Sequence, residues 1–92
     1  MKFRKKPVVI DAIQVSEHGA AFRGAEPPPS WLTDAIESEV LSLSEGAWHV
    51  ATSEGVMRAA SNDWIIRGVK GELYPCKPDI FAATYEAVGE GA

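Results

Sequence analysis

The chain has 92 residues, of which 46% are apolar and 24% charged; that suffices for one domain with one core and leaves no room for a second. Three Trp, three Phe and two Tyr supply core bulk and exclude disorder as the state of most of the chain. The longest apolar runs, Val8-Val9-Ile10 and Ile80-Phe81-Ala82-Ala83, fall far short of the roughly 20 residues of a membrane span.

The net charge is −4, from nine Lys and Arg against thirteen Asp and Glu. Four of the nine cations (Lys2, Arg4, Lys5, Lys6) lie in the first six residues, so residues 7–92 hold five cations against thirteen anions, a balance of −8. An acidic body opposes binding to phosphate backbones, and neither nucleic acid nor membrane is an expected partner. The basic opening runs into Pro7 and not into the apolar stretch of a secretory signal, so a cytoplasmic location is expected. The single cysteine, Cys76, fits a reducing compartment.

Residues 8–15 are rich in β-branched side chains and apolar on both faces, which predicts a central strand covered on both sides. Asp11 interrupts it, as a carboxylate at a solvated edge or beside a cation. Residues 16–29, with two Gly and the triplet Pro27-Pro28-Pro29, read as a loop. Ser30 is placed to cap a helix over 30–38, in which Leu32, Ala35 and Ile36 form an apolar stripe.

From Val40 the period drops to two. Strands over 40–44, 47–52 and 56–59 are separated by Glu45-Gly46 and Glu54-Gly55, where the glycines supply positive φ. Ser61-Asn62-Asp63 is a bend whose Asn and Asp tolerate left-handed backbone. Trp64-Ile65-Ile66 is a strand, Gly68-Val69-Lys70-Gly71 a hairpin turn, and Glu72-Leu73-Tyr74 the return strand, ended by Pro75 and Pro78. A short helix over 78–84 opens on Pro78 and Asp79 and carries Ile80 and Phe81 into the core. Residues 85–88 offer a last extended run, and 89–92 a frayed tail. The sum is an α+β domain spanning 1–92, a mostly antiparallel sheet of about six short strands with one main and one short helix.

Chemistry-bearing residues are sparse. Cys76, near a helix N-terminus and beside Lys77, is a candidate for a lowered thiol pKa; the competing reading is a small side chain packed under the helix. Its possible bases, His18 and His49, are distant in sequence. One Cys and two His without paired spacing make no zinc site, and neither metal nor other cofactor is expected. Trp31, Trp48 and Trp64 read as core, and one left half-exposed would be a contact anchor.

Two passages carry a resemblance: Met1-Lys2-Phe3-Arg4-Lys5-Lys6-Pro7-Val8-Val9-Ile10-Asp11-Ala12-Ile13-Gln14, and Asn62-Asp63-Trp64-Ile65-Ile66-Arg67-Gly68-Val69-Lys70-Gly71-Glu72-Leu73-Tyr74-Pro75-Cys76-Lys77-Pro78-Asp79-Ile80-Phe81 with Thr84-Tyr85-Glu86. Together they resemble a family of small hypothetical proteins of bacteriophages and prophages, labelled PGDYG-type after a turn motif. Here Ser61-Asn62-Asp63-Trp64 stands where Pro-Gly-Asp-aromatic is the family pattern. The resemblance implies a phage gene product in a bacterial cytoplasm and brings no catalytic residues with it.

The expected function is a non-catalytic module that binds a host or phage protein, with residues 67–77 as its working surface (Arg67, Lys70, Tyr74, Cys76, Lys77). The alternative is a binder of small anions, nucleotide or phosphometabolite, or a minimal enzyme, in which Arg67, Lys70 and Lys77 converge beside Cys76. A virion component is a third reading. Exposed sheet edges make a homodimer plausible.

Overall fold

The computed structural model describes residues 1–3, 8–19, 21–24 and 27–88; the frayed tail expected at 89–92 and most of the basic opening lie outside them. The fold is α+β. Six strands, β1 (Asp11–Gln14), β2 (Leu41–Ser44), β3 (Ala47–Thr52), β4 (Gly55–Ala59), β5 (Trp64–Arg67) and β6 (Leu73–Cys76), accompany α1 (Ser30–Glu37) and α2 (Pro78–Thr84). They form two antiparallel sheets of three strands, in the orders β1-β5-β6 and β2-β3-β4, and β6 lies against β3 and β4. No helix among the described residues is long and apolar enough to cross a membrane.

The β2–β4 meander follows its turn residues. Glu45 and Gly46, at φ 53° and 74°, link Ser44 to its partner Ala47; positive φ at both central residues makes the two-residue turn match strand twist. Thr52 closes the next hairpin, its hydroxyl donating to Gly55 O at 2.7 Å and accepting from Glu54 N at 3.1 Å. The core fills the space between the two sheets and α1. β1 contributes Ile13, the position just after it Val15, α1 Leu32 and Ala35, the meander Leu41, Trp48, Val50 and Ala59, and β5 and β6 Ile65 and Leu73.

Several expectations are corrected. The first strand begins at Asp11, because its partner β5 stops opposite, at Arg67, where Gly68 opens a turn closed by Gly68 N donating to Glu72 O. Residues 8–10 reach past that end. β1 is also not central: β5 holds that place, and Ile65 and Ile66 are buried on its two faces. The 16–29 loop folds back on β1, with Val15 bridged to Phe22 and Arg23 N donating to Gln14 O at 2.8 Å. Ser30 does not cap α1. Pro29 occupies the cap position at φ −64° and ψ 149° without a side-chain acceptor, and its carbonyl accepts from Leu32 N and Thr33 N. The helix ends at Glu37 because Glu39 turns left-handed, φ 65°.

Pro75 does not end β6; it stands within it, opposite Ile65. Since Gly68 bonds Glu72, the alternation gives the ladder bonds to Tyr74 and Cys76, and Pro75 turns its missing donor outward on an edge strand. α2 opens on Pro78 with Asp79 in its first turn, but no residue of it is buried and Ile80 is 55% exposed. It lies on the sheet face opposite the core. Residues 85–88 form no strand, Tyr85 being extended at φ −121° and ψ 154°.

The bend between the sheets is the most heavily bonded loop. Asp63 is 4% exposed, and its Oδ2 accepts from Ala60 N at 2.9 Å and Lys77 Nζ at 3.2 Å. Replacing it strands a buried donor and frees Lys77. Asp63→Ala is expected to lower unfolding free energy by about 2–3 kcal/mol, read as a lower urea midpoint; an unchanged midpoint refutes this role.

Candidate functional site

On the outer face of β1-β5-β6 the strand alternation places Ala12 and Gln14 of β1 beside Ile66 and Trp64 of β5, and these beside Tyr74 and Cys76 of β6. Phe81 of α2 stacks on Trp64 with ring centroids 4.0 Å apart and planes 5° from parallel. Tyr85 tilts against Phe81 at 5.1 Å and 35°. Such pairs add about 0.5–1.5 kcal/mol beyond area burial. The neighbouring Tyr85 hydroxyl first, then burial and the nearby charges of Glu72 and Cys76, push the Tyr74 pKa up to about 12. One strip of aromatic rings thus holds α2 and the segment after it to the sheet.

Beside this strip runs an open groove of about 810 Å³. Val8, Val9, Ile10 and β1 form one wall, Trp64 and Phe81 line its middle, and Tyr85 to Val88 form the other wall. Its rims leave apolar surface in water: Val9 is 75% exposed, Val88 65% and Val8 49%. The described lining carries carboxylates, Asp11 and Glu86, and no Lys or Arg.

The residues singled out from sequence are dispersed. Arg67 opposes Leu73 near the turn, whereas Lys77 follows Cys76 at the other end of the hairpin, opposite Trp64. Arg67 Nη1 pairs with Asp11 at 3.4 Å, the cation partner expected for that carboxylate, and Lys77 pairs with Asp63. Lys70 sits exposed in the β5–β6 turn, its backbone N donating to Glu72 Oε1 at 3.0 Å. The convergence of three cations on one anion is therefore not what the hairpin builds. Of the three tryptophans, Trp64 is partly buried under Phe81 on the outer face, Trp31 is partly buried against the core, and Trp48 is in the core, stacked on Phe22 at 4.9 Å.

Of the two readings of Cys76, the lowered thiol pKa is the one the geometry opposes. Burial first, then the carboxylates of Asp63 and Asp79, push its thiol pKa up; Lys77 reaches Asp63, and Cys76 Sγ donates to Lys77 O at 3.6 Å. Neither histidine is its hydrogen-bond partner: His49 Nε2 lies 3.3 Å from Ser44 O, and His18 is in the 16–21 loop beside Glu17. No group of three or more potential metal ligands occurs among the described residues. Sequence reasoning missed Phe81 and the 8–10 and 85–88 walls, whose apolar character read as core and strand.

Two measurements test this site. Because the folded Tyr74 pKa lies above its ordinary 10.0, its protonated form contributes full stability below that ordinary value and loses it as pH rises through about 12. In Tyr85→Phe the phenolate absorbance of Tyr74 is expected to appear at lower pH, toward the ordinary value; an unmoved titration refutes Tyr85 as the cause of the shift. Alkylation of Cys76 in the folded protein at neutral pH is expected to be slower than that of a free thiol, and a faster rate would restore the reactive-thiol reading. Comparison with family models, curated proteins and solved structures finds no match for this chain.

Proposed function

We propose that this protein is a non-catalytic binding domain that docks a segment of another protein in the groove between residues 8–12 and α2 with its trailing residues. One observation carries the reading: aromatic and branched apolar side chains are assembled outside the core and left in contact with water. Trp64 and Phe81 present a rigid platform, and Val8, Val9 and Val88 extend it. Contiguous exposed apolar surface with a polar rim marks interaction sites, and a stacked tryptophan is the side chain that most often anchors them. Burying each exposed valine in a complex contributes up to about 1.5 kcal/mol.

Arg67 and Lys77 already have carboxylate partners and Cys76 has a raised pKa, so the anion-binding and enzymatic alternatives draw no support from the hairpin. The partner in this proposal is a bacterial host or phage protein, as the resemblance of residues 1–14 and 62–86 to phage-encoded proteins implies. A photo-crosslinking side chain at Val88, in the groove, is compared with one at Val69, which is 70% exposed in the β5–β6 turn. A discrete adduct to another protein, formed in bacterial cells from position 88, absent from position 69 and lost on Phe81→Asp, is the expected result. Labelling from position 69 alone, or from neither, overturns the groove as the docking surface.

A further inference from the structure

The groove and the start of the chain are complementary in charge and in shape. The described groove lining is acidic, with Asp11 and Glu86, and Asp79 is exposed on the first turn of α2 beside the lining residue Pro78. Only Asp11 of these has a cation partner among the described residues. The chain meanwhile places four of its nine cations in Met1-Lys2-Phe3-Arg4-Lys5-Lys6. In an extended segment alternate side chains face opposite ways, which would put Met1, Phe3 and Lys5 on one side and Lys2, Arg4 and Lys6 on the other. That pattern suits a trough with an apolar floor and acidic rims, where cations also meet the faces of aromatic rings. Within one chain the side chains of Met1 and Phe3 are not seated in the groove, being 107% and 88% exposed.

We infer that the groove receives the N-terminal segment of a second copy of this chain, so that two copies exchange segments about a twofold axis and each covers the other's docking surface. The inference rests on the groove being a docking surface. Reciprocity is favoured by covalent position, since the segment ends two residues before Val8, which is itself part of the groove wall. Each copy therefore offers segment and groove side by side, the condition for a closed, isologous pair. Its consequence is regulatory. Self-pairing and capture of another protein compete for one site, so the domain is open at low concentration and masked at high concentration.

Sedimentation of the full chain over a concentration series tests this. A monomer–dimer equilibrium is expected, weakened by raising salt toward 1 M, where screening shortens to about 3 Å. Reversing the segment (Lys2→Glu with Arg4→Glu) and reversing the rim (Asp79→Lys with Glu86→Lys) are each expected to weaken dimerisation about tenfold. An equimolar mixture of the two variants is expected to pair again, because each reversed segment then meets a reversed rim. Phe3→Ser, at a side chain that carries no part of the monomer's core, is expected to weaken pairing as well. A monomer at every concentration overturns the inference, and so does a dimer indifferent to the reversals or a mixture that fails to pair. If in that case position 88 still crosslinks to another protein, the docking surface stands and only its second-copy occupant is lost.

Discussion

The arrangement depends on the bend between Ala60 and Asp63, where the chain leaves one sheet and enters the other. Asn62 holds φ 69°, a conformation that Asn tolerates better than most residues, and the buried Asp63 carboxylate fixes the turn by accepting from Ala60 N. The bend also gathers segments remote in sequence. Asn62 N donates to Val15 O and Val15 N to Asp63 O, Gln14 Nε2 donates to Asn62 O, and Arg23 donates to Asn62 Oδ1 at 2.7 Å. Gly19 packs against the neighbouring meander so closely that a Cβ there would lie 2.6 Å from Gly46 O. Through Lys77 the same carboxylate reaches the residue that precedes α2. One acidic side chain therefore couples the angle between the sheets to the position of the helix that walls the groove.

The elements were legible in the sequence where local chemistry decides them. Glycines at 46 and 55, the Asn62 bend and Pro78 at the start of α2 each require a particular backbone, and the meander and both helices follow. The grouping of strands was less legible, because alternation specifies which side chains share a face and is silent on which strand lies beside which. Residues 8–15 show the limit: a run apolar on both faces reads as a central strand, yet its outer positions serve as a groove wall and its first three residues have no strand opposite. Pro75 shows another. A proline breaks a ladder only where its nitrogen faces a partner, and that depends on strand order, which no local pattern contains.

The site was legible in part. A tryptophan outside the core was within the reading, and Trp64 lies there, partly buried under Phe81. Phe81 was assigned to the core because an apolar residue in a short helix normally points there; here the helix sits on the face away from the core, and only tertiary placement decides between the two. The cations misled for the opposite reason. Arg67 and Lys77 look free in sequence, but each finds a carboxylate, Asp11 or Asp63, contributed from another part of the chain.

The energetics of α2 bear on why an aromatic strip lies outside the core. A seven-residue helix is far below the length at which helices are stable alone, and α2 buries no side chain. Its tethers are the Trp64–Phe81 stack, the tilted Phe81–Tyr85 pair and the Lys77–Asp63 ion pair just before it. Elements with few buried contacts open at lower free energy than the core, so α2 is the part of the fold whose order depends most on what covers it. A segment seated in the groove touches Phe81 and the walls on both sides, and so stabilises the helix while gaining its own contacts. Ordering of the helix and occupation of the groove are then one equilibrium, and the rest of the domain holds Trp64 in place as the fixed half of the site.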